Sequence, residues 1–369
     1  MFQWTLKTLW VQRAATLASA GGVAGAFLLV ILLEAIFLGE SKQMLSFIEN
    51  TAPDVWVMQD GVSNMHMATS FVWDWKVDEV AALPGVESVS SILYVNTAVN
   101  AGGRDWFAYV VGIEPDDSRA GPWAMAAGRA EPAPGEIILP QMFARATGLR
   151  LGDQATIADT NFTIVGFSKG TFSMANSVAF VSSADLEDIL NVGATVSYML
   201  VDAAAGTSGE ELTTRIEAEV EKVNALTQEE FIDSDFEMAM KMGVEIISFM
   251  TILGSALAAA IIAFTTFVQV SRRFHELAVA KAIGVSNFSV YVSVVFQSLT
   301  VTGIGYLIAI VIAAGAMPVI AWLVPEVIFL VSATSLMRMA GIALCVAMLA
   351  AVVPARFVAS VDPASAFEG

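Results

Sequence analysis

The stretch SRRFHELAVAKAIGVSNF, Ser271 to Phe288, is a polar island between two long apolar runs. GVEIISFMTILGSALAAAIIAFTTFVQV, Gly243 to Val270, precedes it, and SVYVSVVFQSLTVTGIGYLIAIVIAAGAMPVIAWL, Ser289 to Leu323, follows it. Each run exceeds the ~20 residues that cross a hydrocarbon core. The island therefore reads as a loop between two membrane spans. Its pattern is too ordered for a plain turn. Phe274, Leu277, Ala278 and Ile283 can share one side of a short helix, with Arg272, Arg273, Glu276 and Lys281 elsewhere. Gly284 then supplies the stop, and Ser286 or Asn287 a cap for the next span.

Composition agrees with a membrane protein. Over 369 residues only 15% are charged and the mean hydropathy is +0.68, against about 25% charged in a soluble domain. The net charge of −18 is not spread evenly. Residues 40–240 hold 30 acids against 10 bases, and the rest of the chain 6 against 8. A solvated acidic domain thus lies between the first apolar run and the second. Its charge excludes nucleic acid as a partner.

Two further runs complete four spans. Ala14 to Leu38 is too long for the apolar core of a signal peptide and reads as an uncleaved anchor. The others are placed at 243–270, 290–323 and 337–353, the third long enough to tilt or to bend near Pro318. Lys7 and Arg13 precede the first span, Arg272, Arg273 and Lys281 lie between the second and third, and Arg356 follows the fourth. The positive-inside rule then puts both termini and the island in the cytoplasm and the acidic domain outside. The expected fold is an integral membrane α-helical bundle of four transmembrane helices, with a mixed α+β extracytoplasmic domain inserted between the first two. The domain divisions are 1–39, 40–240 and 241–369.

In the outer domain, DVWVM, SVSSILYVNTAV, WFAYVVGI, ATIAD and FTIVGF alternate like strands. VDEVAAL before Pro84-Gly85 reads as a short helix. SGEELTTRIEAEVEKVNAL reads as the clearest helix, capped by Ser208, with Glu211 in capping-box spacing and Leu212, Ile216, Val220 and Val223 on one face.

Motifs of catalysis are missing. No Gly-Lys dipeptide occurs, which excludes a phosphate-binding P-loop, and neither His-Glu-x-x-His nor Gly-x-Ser-x-Gly is present. The single cysteine, Cys345, excludes an intrachain disulfide and a cysteine zinc site, and reads as a small buried apolar residue. No catalytic, cofactor or metal residue is assigned.

Three features of the spans call for partners. Glu34 is the one acid well inside a span, with Arg338 at similar depth at the outer end of the fourth. Two arrangements fit: an ion pair tying the helices, or each side chain reaching the interface separately. Gly21 and Gly25 form a Gly-x-x-x-Gly, with Ala18 on nearly the same face, which favours close helix packing. FQWTLKTLWVQRA, with Trp4, Leu6, Leu9 and Trp10, fits an interfacial helix or an aromatic belt extending the first span.

The island also resembles a known family, the FtsX/MacB-type permeases of ABC transporters. Their cytoplasmic loop runs Arg-x-x-Glu-(Ile/Leu)-(Gly/Ala)-x-x-(Lys/Arg)-Ala-(Leu/Ile)-Gly-(Ala/Val)-(Ser/Thr). Here those places hold Arg273, Glu276, Leu277, Ala278, Lys281, Ala282, Ile283, Gly284, Val285 and Ser286. Ala280 departs from the usual larger aliphatic residue. ALPGVESVSSI, FAYVVGIEPDD and PGEIILPQMFARATGLRLGDQATIADTNFTIVGF resemble the MacB-like periplasmic core domain. The ending PARFVASVDPASAFEG is similar to the family's, though poorer in arginine.

The resemblance implies a non-catalytic permease of the plasma membrane, coupled to a separate ABC ATPase that holds the ATP and magnesium. It implies a homodimer or a pair with a paralogous permease, contact with membrane lipids and a periplasmic adaptor. It implies mechanotransmission to the outer domain for export, efflux or release of a lipoprotein, lipid or hydrophobic compound. The island becomes the ATPase-coupling helix, in which Phe274, Leu277 and Ile283 fill a cleft on the ATPase and Arg272, Arg273, Glu276 and Lys281 set the orientation. The alternatives are an FtsX-like regulator of a cell-wall hydrolase and a membrane-anchored ligand sensor.

Overall fold

The computed structural model describes residues 7–359, apart from Thr8, Met67, Asp116, Ser118, Ala175, Met240 and residues 242–244. Two compact units result. One is built from the apolar helices, and the other from Gly39–Glu245 with Val324–Ile328.

The first apolar run forms α1 (Arg13–Met44), which continues without a break to the start of the acidic unit. That unit then runs α2 (Ser46–Thr51), β1 (Val55–Gln59), β2 (Val72–Trp73), α3 (Trp75–Ala81), β3 (Val86–Ala101), β4 (Arg104–Ile113), β5 (Met125–Gly128) and β6 (Glu136–Pro140). It continues with α4 (Gln141–Thr147), β7 (Gln154–Ile157), β8 (Thr160–Ser168), β9 (Ser177–Ser182), α5 (Ser183–Leu190), β10 (Thr195–Val196), β11 (Tyr198–Ala203), α6 (Gly209–Glu219), β12 (Val223–Thr227) and α7 (Gln228–Ala239).

Ten strands form one mixed sheet in the order β12-β1-β11-β3-β4-β9-β6-β8-β5, with β7 paired to β3 and β8, and β2 and β10 form a separate antiparallel pair. β4–β9 and β6–β8 are parallel and the other pairs antiparallel. Both faces are covered, so β1 is buried at four successive residues rather than alternating with water. Trp56 and Met58 face one core and Val55 and Val57 another, as the two-residue period requires. Trp56 stacks on Phe231 of α7 at 4.4 Å between ring centroids.

The segment read as one helix from Ser208 to Leu226 is instead a helix and a strand. Ser208 does cap α6, accepting from the Glu211 backbone N–H at 3.2 Å. Val220 is already extended, and Lys222 takes a left-handed φ of 57°. Val223 therefore leaves the helical face and starts β12, which pairs antiparallel with β1 from Val223↔Gln59 to Thr227↔Val55. The free edge of β1 offers a ladder of backbone hydrogen bonds that outweighs a weak local helix preference.

The other unit contains α1, α8 (Glu245–Arg272), α9 (Phe274–Ala282), α10 (Asn287–Leu323) and α11 (Ala333–Ala359). Four of these are long and apolar enough to cross a membrane. α10 is helical through Pro318, and α11 extends beyond 337–353 at both ends. Phe27 of α1 meets Tyr306 of α10 edge-on at 5.2 Å, and the Tyr306 hydroxyl donates to the Leu336 carbonyl at 2.7 Å.

Close packing falls on a glycine other than those singled out above. Gly21 and Gly25 are exposed, with nothing within 4 Å of where a Cβ would stand. Gly305 of α10 makes the tight crossing instead, since a Cβ there would lie 2.9 Å from the Ala20 carbonyl oxygen. Cys345, expected to be buried, is exposed on α11. Its neighbours Ala343 and Ala347 take the inward positions. Of the N-terminal aromatic stretch, Trp4 and Leu6 lie outside the described residues, as do residues 360–369 of the family-like ending. Leu9 is buried against Ala20 and Val301, and Trp10 is exposed.

Candidate functional site

The island folds as a turn, a short helix and a turn. α9 begins right after α8, and Gly284 ends it with φ 96°, a conformation that glycine adopts without a Cβ penalty. Ser286 accepts from the Ser289 backbone N–H at 3.3 Å and so caps α10. Ala278 is buried, while His275, Glu276, Val279, Ala282 and Ile283 are exposed and Lys281 is half-buried. The side chains of Phe274 and Leu277 lie outside what the structure describes. Ile283, 79% exposed, offers an apolar surface at the end of the helix.

Two adjacent arginines part company here. Arg272 is exposed, but the Arg273 side chain is only 2% exposed. Arg273 does not sit on the docking surface assigned to it by its charge. Its Nη1 donates to Gln297 Oε1 of α10 at 2.6 Å, and its Nε to Glu276 of α9 at 3.3 Å. Gln297 Nε2 donates in turn to Gln269 Oε1 of α8 at 2.9 Å. A guanidinium in an apolar bundle must have its donors engaged, and the Gln297 amide and the Glu276 carboxylate engage two of them. A second polar link crosses the same helices: Thr266 and Ser298 share a hydrogen bond at 3.0 Å, and Ser298 donates to the Ala347 carbonyl of α11.

Of the two arrangements open to Glu34 and Arg338, the structure has the pair. Arg338 Nη2 donates to Glu34 Oε1, and Ser335 Oγ donates to the same oxygen at 2.8 Å. The Glu34 side chain is 14% exposed and that of Arg338 63%, so the acid is held inside while the base reaches outward.

Residues 16–219 match the family described as MacB-like periplasmic core domain, and residues 248–363 the family described as FtsX-like permease C-terminal. The chain belongs to the FtsX/MacB-type ABC transporter permeases. An uncharacterized ABC transporter permease of Mycobacterium bovis is 23% identical over 345 residues, 93% of this chain and 92% of its own length. Another, of Mycobacterium tuberculosis, is 22% identical over 369 residues, 100% of this chain and 97% of the relative. Among solved structures, the periplasmic region of MacB from Actinobacillus actinomycetemcomitans covers 50% of this chain and 94% of its own, at 10% identity and TM-score 0.37. The extracellular domain of the transporter YknZ from Gram-positive bacteria covers 47% and 99%, at 12% identity and TM-score 0.35. As a permease of this type, the chain is a multi-pass membrane protein whose α/β domain is extracytoplasmic.

The outer domain holds two further features. His66 Nδ1 lies 2.7 Å from Asp235 Oδ2, both side chains are shielded, and the Met65 backbone N–H donates to Asp235 Oδ1 at 2.7 Å. Tyr94 and Tyr198 donate to the carbonyls of Met65 and Asn64, and burial pushes both phenols above their usual range. This cluster joins residues 169 positions apart, so no local spacing announces it. The second feature is a groove of about 610 Å³ with Phe71, Trp73 and Trp75 exposed at 39%, 57% and 51% beside Lys76, Glu79 and Glu221. Aromatic side chains of this kind mark contact surfaces. Three in five residues was the signal that could have found it.

Proposed function

We propose that the chain takes up the conformational work of a separate ABC ATPase through α9 and passes it to the extracytoplasmic domain. The observation that carries this reading is the root of α9. Its solvent face presents Ile283, Val279 and Glu276, while the residue at its start, Arg273, is bonded to both α9 and α10. A push on α9 therefore meets a hydrogen-bonded frame rather than a loose loop. The basic residues around α9 support a cytoplasmic position for it, and the lack of a P-loop in the sequence supports a partner that holds ATP and magnesium. ATP hydrolysis belongs to that partner, and this chain acts as the non-catalytic subunit of a homodimer or of a pair with a paralogue.

The cargo in this reading is a lipoprotein, lipid or hydrophobic compound, or an adaptor contacts the outer domain. The aromatic groove at Phe71, Trp73 and Trp75 supports an apolar partner outside. The test is capture of an ABC ATPase by the tagged, detergent-solubilised full chain. Ile283→Asp and Val279→Asp, both at exposed positions, are expected to abolish capture without changing the thermal unfolding profile. Capture of no ATPase sinks the reading in favour of a membrane-anchored ligand sensor, and undiminished capture by both variants sinks the role of α9.

A further inference from the structure

A cleft of about 210 Å³ opens in the helical unit between the starts of α1 and the end of α8, beside Arg273. Its polar wall holds two arginines, Arg272 and Arg273, three glutamines, Gln12, Gln269 and Gln297, and the hydroxyls of Thr16, Ser19 and Thr265. No acidic residue lines it among the described residues. Gln269 is only 8% exposed, and its Nε2 has no hydrogen-bond partner among the described residues, although its Oε1 is engaged by Gln297. A buried amide N–H₂ left unpaired is costly, so the cleft calls for an acceptor that the described residues do not supply. The other groups around it select the kind of acceptor. Arg272 is exposed at the mouth, and the Arg273 guanidinium adds positive potential from behind. An oxyanion suits both Gln269 Nε2 and the Arg272 guanidinium.

The remaining wall is apolar. Leu9, Ala15, Ala18, Phe264 and Val268 continue the cleft away from the arginines, and Phe264 is 68% exposed. Eight residues separate Phe264 from Arg272, which is about 12 Å along a helix. The cleft is thus cationic and donor-rich at the end of the apolar span and greasy toward its middle. The volume exceeds by several-fold the ~30 Å³ share of one water, so a single ordered water does not fill it.

We propose that this cleft binds an anionic phospholipid, with a headgroup phosphate against Gln269 Nε2 and the Arg272 guanidinium and the acyl chain along Phe264. The occupant's phosphate then touches the amide that holds Gln297, and through it Arg273. The lipid site stands whether or not α9 docks an ATPase.

The experiment is native mass spectrometry of the full-length protein in detergent, with phosphatidylglycerol or phosphatidylcholine added at equal concentration, and inorganic phosphate as a competitor. The wild type is expected to retain phosphatidylglycerol over phosphatidylcholine by roughly five-fold or more, the weight of one arginine at an anionic lipid surface. Arg272→Gln, a change at an exposed position, is expected to bring the two lipids close to parity, and Gln269→Leu to lower retention of phosphatidylglycerol. Equal retention of both lipids by the wild type overturns the proposal, as does an unchanged preference in Arg272→Gln. Displacement by millimolar inorganic phosphate assigns the cleft to a free anion and overturns the lipid.

Discussion

Asp235 in the outer domain and Arg273 in the helical unit are both shielded charges, with side chains 0% and 2% exposed. They are held in different ways. Asp235 is gripped by consecutive residues of one segment, the Met65 amide and the His66 ring, and that segment is pinned again by Tyr94 and Tyr198. The arrangement has one geometry and acts as a staple. Arg273 is held by long side chains from separate helices, Gln297 of α10 and Glu276 of α9, with Gln269 of α8 behind. Those partners can exchange as helices shift. The first arrangement fixes a fold, and the second suits a joint.

The strongest way to break this contrast is Asp235→Ala. Removing the acceptor that the Met65 amide and the His66 ring share is expected to cost about 1–3 kcal/mol for each buried group left unpaired, read as a lowered unfolding midpoint of the full chain in detergent, with ATPase capture intact at low temperature. Loss of capture with unchanged stability would reverse the two roles. Next comes Arg338→Gln, which leaves Glu34 with only Ser335 and is expected to destabilise the helical unit by about 1–3 kcal/mol. A Glu34→Gln, Arg338→Gln double variant should recover part of that loss, and a purely additive result would mean the pair is idle.

Arg273→Leu comes third in free energy, though it bears most directly on function. It is expected to weaken coupling between ATP hydrolysis and outer-domain movement by about 0.5–2 kcal/mol, with ATPase capture retained. The readout is ATP-dependent fluorescence change of a probe on the outer domain. An unchanged response would demote Arg273 to packing. The smallest effect belongs to a half-buried pair. The hydrogen bond from Arg119, at 2.8 Å to Asp202 Oδ1, holds the Asp202 carboxyl below the usual range. A depressed carboxylate stabilises the fold above its unfolded pKa of about 3.9 and loses that contribution as pH falls through the lower folded value. The stability gap between wild type and Asp202→Asn should be under about 1 kcal/mol at pH 7 and should close in acid. A gap that widens in acid would contradict the sign.

Much of the architecture was legible in one dimension. The apolar runs needed only their length, because a span must satisfy its backbone internally whatever its neighbours. β3 and β4 announced themselves by alternation, and α6 by Ser208. β12 was hidden, since Val223 and Ala225 look as helical as strand-like until β1 provides an edge. The candidate site was half legible. The pattern from Arg273 to Ser286 located α9, but the Gln297 and Gln269 that hold Arg273 are polar residues with nothing local to mark them. The same is true of Ser335 beside Glu34.

The sequence by itself determined the four spans, the segregation of acid into one domain, the absence of a P-loop and the place of the short helix after Arg272. These follow from hydropathy, charge and chain-local geometry. The tertiary structure decided which of two neighbouring arginines turns inward. Arg272 ends α8 while Arg273 is the turn residue before α9, so the two side chains leave the backbone in different directions, and the position of Gln297 selects Arg273 for the interior. It likewise chose Gly305 over Gly21 and Gly25 for the tight crossing, because closeness depends on what the other helix presents and no single helix carries that information.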